Sequence, residues 1–380
     1  MQKVSVIKQE NYELNSLKIN IKQSLENIVT MDEVFNNGKT VMIKVNAVSG
    51  MKHELGYTSH PLFVKALIQV LKEYDVKVIV GDNPPFKEIK SVLKGNGIYK
   101  VLQEENIEIA ENSKLIHLEN NNTLKYKQFD FSESFVKADI LINLPKLKTH
   151  SFTYFSCAQK NLFGMIYGLT KADWHVKANN PKDFGMLIND IYTTTKSQYQ
   201  KDHYINLCDA VIGLEGDGPT TGGTSQELGA IICSTSGVAA DIVGIKLAGL
   251  DLSKSFITTT AIENKIEVQD ETDYEVIGDE LFTKKFQEPE KTNAGIKLLE
   301  KQFMKNLLLE HPVIDHSKCI GCGNCAKICP AKTMIKNEKD KYPHLNKHTC
   351  IRCWCCAEVC PVSAISKSNR PILGKLIIKK

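Results

Sequence analysis

The stretch HPLFVKALIQVLKEYDVKVIVGD, residues 60–82, decides the fold. Its first part, HPLFVKALIQVLKEY (60–74), carries apolar residues at helical spacing, and Pro61 suits a first helical turn, where its missing N–H is not needed. VKVIVGD (76–82) then reads as a strand running into the loop NPPF. Upstream, VMIKVNAV (41–48) reads as a buried strand. Strand, helix and strand of this length make a βαβ unit, whose crossover is right-handed.

The same alternation continues toward the C-terminus. ADILINLP (138–145) reads as a strand, and INLCDAVIGLEGDG (205–218) as a strand entering a glycine-rich loop. LGAIICST (228–235) is another strand, followed by VAADIVGIKLAG (238–249), a helix ending at Gly249. The expectation is an α/β domain over residues 1–305, with a parallel or mixed sheet and flanking helices. Residues 250–310 are more polar, with weak periodicity, and are expected to carry the chain round to a C-terminal module.

Cysteine dominates that module. Nine of the twelve cysteines lie between Cys319 and Cys360. They form two runs, Cys319-x-x-Cys322-x-x-Cys325-x-x-x-Cys329-Pro330 and Cys350-x-x-Cys353-x-x-Cys356-x-x-x-Cys360-Pro361. Both match the C-x2-C-x2-C-x3-C-P run of bacterial two-cluster ferredoxins. Three closely spaced thiolates wrap three corners of a [4Fe–4S] cube, and the fourth cysteine of each run points to the other cube. One cluster is thus assigned to Cys319, Cys322, Cys325 and Cys360, the second to Cys350, Cys353, Cys356 and Cys329. Gly321 and Gly323 let the backbone pass close to a cube. A pair of zinc sites is the competing reading, but zinc usually joins two C-x2-C halves across a longer loop. Cys355 is surplus to the eight and reads as a bystander or a swap ligand. This region, residues 311–368, closely resembles the bacterial-type two-[4Fe–4S] ferredoxin domain, a small α+β module; residues 369–380 form a basic tail. Exposed clusters are attacked by oxygen, so an anaerobe is the expected host.

Composition narrows the remaining classes. The chain has 380 residues, 42% of them hydrophobic, and a net charge of +4, which excludes disorder. No apolar run reaches the ~18 residues of a membrane span. The N-terminus, MQKVSVIKQENYELN, lacks an apolar signal-peptide core, so a cytoplasmic location is expected. Residues 311–380 hold 13 Lys and Arg against 4 Asp and Glu, a net +9 that leaves −5 for the first 310 residues. Because anionic clusters offset part of that excess, it is not read as a nucleic-acid patch. There is no G-x-G-x-x-G after a strand and no G-x4-G-K-[ST], hence no sequence evidence for NAD, FAD or ATP.

In an open parallel sheet ligands bind beyond the C-terminal strand ends. Polar residues expected there are Lys44 and Asn46, His60, Asp82, and the run PKLKTH with Lys146, Lys148 and His150. Alternation puts those last three on one face of an extended chain, where two ammonium groups and an imidazole suit an anion. Alternating lysines are also the pattern of a solvated strand face. His60 reads as helix cap or ligand, and Asp241 as a first-turn carboxylate or a functional one. CAQKNLFGMIYGL (157–169) reads as a helix carrying Lys160 and Asn161 and ending near Gly164; beyond it lie Trp174, His175 and Asp183. The loop GLEGDGPTTGG, with Glu215, Gly216 and Gly218, reads as a turn cluster or as an anion-binding nest of N–H groups.

Four segments together resemble the domain-of-unknown-function 362 family: TSHPLFVKALIQVLKEYDVKVIVGDNPP, ADILINLPKLKTHSFTYFSCAQKNLFGMIYGL, LCDAVIGLEGDGPTTGG and STSGVAADIVGIKLAG. The likeness runs over residues 40–250. It implies an α/β domain of unsettled chemistry joined to an electron-transfer module. It carries over the positions Lys146, Lys148, His150, Lys160, Asn161, Gly164, Glu215, Gly216, Gly218 and Pro219. Ser151, followed by Phe152-Thr153-Tyr154, departs from it, since a small residue is expected first.

Two functions are expected. One is a reductase, in which low-potential electrons reach a small anionic substrate held by Lys146, Lys148 and Lys160, with His150 supplying a proton; Asn46, His60, Asp82, Asn161, Glu215, Gly216 and Gly218 would bind that substrate. The other is a ferredoxin-like electron-transfer or metabolite-binding protein that docks a partner enzyme without catalysis of its own. Either needs an electron donor or acceptor protein.

Overall fold

A computed structural model describes residues 1–380 except 49, 51–52, 85–87, 111–113, 169, 221, 291–301 and 378–380. The expected boundary at 305 falls inside the helix Gln302–Leu308, and the last three residues of the basic tail lie outside the described residues. The first strands are β1 (Gln2–Lys8), β2 (Lys39–Lys44), β3 (Val76–Gly81) and β4 (Glu108–Ile109). β5 (Leu115–Glu119) and β6 (Gln128–Ser132) form a separate antiparallel hairpin. β7 (Ile140–Asn143), β8 (Lys146–His150), β9 (Tyr154–Ser156), β10 (Tyr204–Gly216), β11 (Gly223–Ser234) and β12 (Tyr274–Gly278) complete a mixed sheet in the order β12-β1-β11-β10-β7-β2-β3-β4. The centre, β10-β7-β2-β3-β4, is parallel, while β11 runs antiparallel to both its neighbours. β8 lies parallel to the far half of β10, and β9 pairs antiparallel with β8.

Strand period sets the two layers. In β2 and β7, Val41, Ile43, Ile140 and Ile142 face the layer of helices Leu14–Glu26 and Pro61–Leu71. Met42 and Leu141 face the opposite layer, built by helices Pro181–Lys196, Gly237–Leu247 and Phe256–Glu263. A strand buried on both faces has no polar alternation, which is why β2 and β7 read as continuous apolar runs. The predicted βαβ unit is present, with Pro61 opening the helix and the His60 side chain accepting the Leu62 N–H as its cap.

Beyond residue 301 the chain forms a small α+β unit. β13 (Pro312–Ile314) pairs with β16 (Ile365–Lys367), and β14 (Met334–Ile335) with β15 (His344–Leu345). Each cysteine run opens a short helix, Asn324–Ile328 and Cys355–Glu358. Ion pairs tie this unit to the sheet domain, Lys367 Nζ lying 2.7 Å from Asp217 Oδ1. Among the described residues no helix is long and apolar enough to cross a membrane.

Candidate functional site

Parallel strands end together, and here the register aligns Lys44, Gly81 and Asn143 side by side at the C-terminal edge of β2, β3 and β7. Beyond that edge lies a cavity of about 140 Å³. Lys44 is fully buried in its floor, with Nζ 2.8 Å from Asp82 Oδ1 and 3.0 Å from the Val45 carbonyl. Asp82 accepts the Ala47 N–H as well. Burial pushes the Asp82 carboxyl up, but Lys44, Lys171 and its hydrogen bonds outweigh burial and hold it below the usual range. Gly164 passes directly over this pair; a Cβ there would run into Lys44 Nζ and Asp82 Oδ1 and force the buried pair to move.

A chain of amides extends from the floor. Lys148 Nζ donates to Asn46 Oδ1 (2.7 Å), Asn46 Nδ2 to Asn161 Oδ1 (2.8 Å), Asn161 Nδ2 to Asn143 Oδ1 (2.8 Å) and Asn143 Nδ2 to Asn206 Oδ1 (2.8 Å). Asn161 and Lys160 ride on the one-turn helix Ala158–Asn161. Its first N–H groups, of Ala158 and Gln159, are received by the buried carboxylate of Asp241, at 2.6 and 3.1 Å. Asp241 is thus a cap for a neighbouring helix, the expected role for a carboxylate facing a helix N-terminus.

Four lysines, Lys44, Lys148, Lys160 and Lys171, line the cavity. Burial pulls Lys148 down to about 7, helped by the charge of Lys160, and pulls Lys171 down to about 7. Lys171 Nζ donates to the Asn83 carbonyl. Lys160 has no hydrogen bond among the described residues, and burial lowers it too. Two imidazoles complete the set. His150 Nδ1 accepts the N–H groups of Phe152 (3.0 Å) and Thr153 (3.3 Å), which places its proton on Nε2. Nε2 is buried without a hydrogen bond among the described residues and faces Glu358 Oε1 at 3.5 Å. Burial and the nearby lysines hold His150 far below its usual value, so at neutral pH it is uncharged and offers an N–H. His175, stacked on Phe184 at 4.8 Å, is pulled down to about 3 by burial, and its Nδ1 has no hydrogen-bond partner among the described residues.

The opposite wall comes from the cysteine-rich unit. Ile328, Cys355, Glu358 and Val359 line the same cavity, and Cys353 and Cys355 pack with Ile328 against Ala172 of the sheet domain. Glu358 is pushed up by burial, against the pull of Lys160 and Lys148. Pro219 and Glu358 also border a wider groove of about 870 Å³ that runs between the two units.

The thiols fall into two groups. Cys325 has Cys360, Cys322 and Cys319 as electrostatic neighbours, and a nearly apolar hollow is lined by all four. Cys350 has Cys353 and Cys329 beside it, and Cys356 has Cys353, Cys350 and Cys329 as well as Cys325 of the first group. Backbone N–H groups of Thr333 and Met334 point at Cys329 Sγ (3.2 and 3.4 Å), and that of Ala364 at Cys360 Sγ (3.2 Å). Such N–H···S bonds stabilise thiolates, so the donor set fits an iron–sulfur cluster. Among the described residues no three His, Cys, Asp or Glu side chains are gathered tightly enough to hold a single ion. The free Cys355 thiol donates a hydrogen bond to Cys353 and faces the cavity.

The residues singled out in the sequence separate in space. Asn46, Asp82, Lys148, Lys160 and Asn161 meet in the cavity, with His150 at its rim. Lys146 does not join them: it is buried in an ion pair with Asp209 Oδ2 (2.9 Å) and a hydrogen bond to the Tyr12 hydroxyl (2.6 Å). His60 stacks on that tyrosine at 3.6 Å and belongs to the same cluster. Glu215 accepts the Gln287 N–H, and Gly216 donates its N–H to the Gln287 carbonyl and accepts the Thr149 hydroxyl, both away from the cavity. Gly218 lies in the groove, pressed against the Thr149 carbonyl. Lys171 and Glu358 are cavity residues that the sequence reading passed over; Lys44, expected beyond a strand end, is the last residue of β2 and lies in the cavity floor.

A family model described as "Domain of unknown function (DUF362)" matches residues 41–246, and one described as "4Fe-4S dicluster domain" matches residues 312–366. A thylakoid-associated protein of Synechocystis sp. is 28% identical over 264 residues, which is 69% of this chain and 79% of that protein. Among solved structures, the chain is similar to the lactate racemase apoprotein of Thermoanaerobacterium thermosaccharolyticum, with a TM-score of 0.36 and 14% identity; the match covers 60% of this chain and 54% of that one.

Proposed function

We propose, for a chain that belongs to the DUF362 family and ends in a 4Fe-4S dicluster domain, that it is a reductase of a small anionic substrate held between the lysine-lined sheet edge and the nearer of two [4Fe–4S] cubes. The observation that carries this reading is the shared wall: the cavity holding Lys148, Lys160 and Lys171 is closed by Cys355 and Ile328, which pack with Cys353. Residues 1–305 are the pocketed body in this reading and residues 311–368 the redox module. Cys319, Cys322, Cys325 and Cys360 hold the outer cube, and Cys350, Cys353, Cys356 and Cys329 the inner one.

When bound, such cubes supply single electrons of low potential. The chain's own residues do the rest. Counting Lys44 against Asp82, the cavity keeps three further ammonium groups facing one carboxylate, Glu358. That surplus binds an anion and stabilises negative charge as it builds on a substrate receiving electrons, with no water to reorganise. Reduction of one double bond takes two electrons from a donor protein and two protons. Lys148 and Lys171, near 7, are matched to give protons at neutral pH, whereas uncharged His150 is placed to donate a hydrogen bond from Nε2.

The test is made on protein purified without air. About eight iron per chain and a brown absorption that bleaches on reduction are expected. The reduced protein should be reoxidised by a small unsaturated carboxylate or phosphate ester, and a Lys148→Ala, Lys160→Ala double variant should keep its iron and lose that reoxidation. Protein that carries its iron but passes electrons to no such anion favours the electron-transfer reading instead; colourless, iron-free protein refutes both.

A further inference from the structure

The two cysteine groups differ in what covers them. Cys353 and Cys355 pack against Ala172 of the sheet domain. In the other group Cys322 is exposed, the single exposed cysteine among the described residues. Beside it stands Ile320, an apolar side chain 65% exposed at the edge of the hollow lined by this group. Lysines ring this point. Lys318 lies two residues before Ile320 and is exposed; the Lys336 side chain lies over Gly323; the Lys341 backbone abuts Gly321. Exposed Lys327 follows on the helix after Cys325. Asp315 is engaged by Lys318 at 3.4 Å, and Asp340 is occupied in capping Asn337. An exposed apolar centre inside a charged rim is the anatomy of a transient protein interface.

The charge of the whole chain sharpens the choice of partner. The C-terminal 70 residues carry +9 and the rest −5. Two four-thiolate cubes bring about −2 each and leave this end still positive. An acidic protein is repelled by the body and drawn to the Cys322 end. We propose that the surface around Ile320 and Cys322, rimmed by Lys318, Lys336 and Lys341, is the docking site of an acidic electron-carrier protein, so that electrons pass between partner and chain at the outer cube while the inner one faces the cavity. This rests on the two-cube assignment and on no property of the substrate.

The experiment follows reduction of the full-length, iron-loaded protein by a reduced two-cluster ferredoxin of net negative charge, with methyl viologen radical as the comparison reductant. Steering by charge falls with salt. Reduction by the ferredoxin should slow about tenfold between about 20 and 300 mM NaCl. A Lys318→Glu, Lys336→Glu, Lys341→Glu variant should be slowed at least tenfold at low salt, with unchanged iron content and no slowing by methyl viologen. Ferredoxin reduction that ignores salt in the native chain, or an iron-loaded variant that is reduced as fast as the native chain, overturns the proposal. Should the triple variant lose iron, the native salt dependence and the single variants decide it alone. Iron-free native protein would instead sink the two-cube reading.

Discussion

At the residue scale the cavity is a problem in solvation. An ammonium group prefers water, and Lys148 is held at about 7 because burial removes it. An anion restores what water gave, so binding raises the affinity of Lys148 and Lys171 for protons. Below pH 7 both are charged in the empty cavity and affinity is full; above pH 7 each must regain a proton on binding. Sulfate, which stays a dianion throughout, is the suitable probe. Its affinity should be flat below pH 7 and fall above it by up to about tenfold per unit per lysine, as calorimetry would register. Lys148→Met should weaken binding at pH 6 by at least tenfold and make the fall above pH 7 shallower. A profile flat to pH 9 would show that these lysines do not hold the anion. Sequence made half of this set legible. Lys148 and Asn46 stood after apolar strands and could be placed at a strand end. Lys171 sits in an ordinary amphipathic helix and Glu358 among cysteines, where no pattern separates a cavity residue from a solvated one. Lys146 shows the opposite failure. Alternation put it beside Lys148, but the pairing of β8 with β10 is interrupted between Asp209 and Leu214, and Lys146 meets Asp209 instead.

At the element scale, the helix Ala158–Asn161 is too short to be stable alone. It exists because Asp241 receives its first two N–H groups and because Asn143 holds the Ala158 carbonyl. Asp241→Ala should leave two buried donors unpaired and cost about 2–4 kcal/mol, read from urea unfolding. It should also weaken sulfate binding, since Lys160 and Asn161 hang on this turn; Asp241→Asn, which keeps one acceptor, should fall between. Loss of stability with sulfate affinity intact would separate the cap from the site. The longer elements were readable: the βαβ unit, β10, β11 and the helix ending before Gly249 all carry their period in the sequence. β12 was not. YEVIG is five residues at a sheet edge, half-buried, inside a segment whose average is polar. Pairing with β1 supplies the order that local pattern lacks. The run KLKTH fitted a solvated face as well as a buried one, because what covers it, β9 and Glu358, comes from elsewhere in the chain.

At the scale of the whole molecule the cavity belongs to neither unit alone, and that makes iron and lysine chemistry interdependent. The sheet domain has two large cores of its own. The C-terminal unit has a small one, formed by Cys325, Met334, Cys356, Cys360, Ala364 and Ile365, half of it cysteine. A module of that size without its metal lacks the buried surface to stay folded. Stripping iron with a chelator and an oxidant should therefore unfold residues 312–367 while the sheet domain persists by circular dichroism. The wall of Ile328, Cys355 and Val359 then goes, water returns to Lys148 and Lys171, and desolvation, the first cause of their low values, is lifted. Both lysines should move up from about 7 toward their ordinary range. The pH above which sulfate affinity falls should rise with them, by about two units or more, and affinity at pH 6 should drop as the open site regains water. If the iron-free protein kept its midpoint near 7, the desolvation of these lysines would come from the sheet domain alone, and the two units would share a boundary without sharing a site.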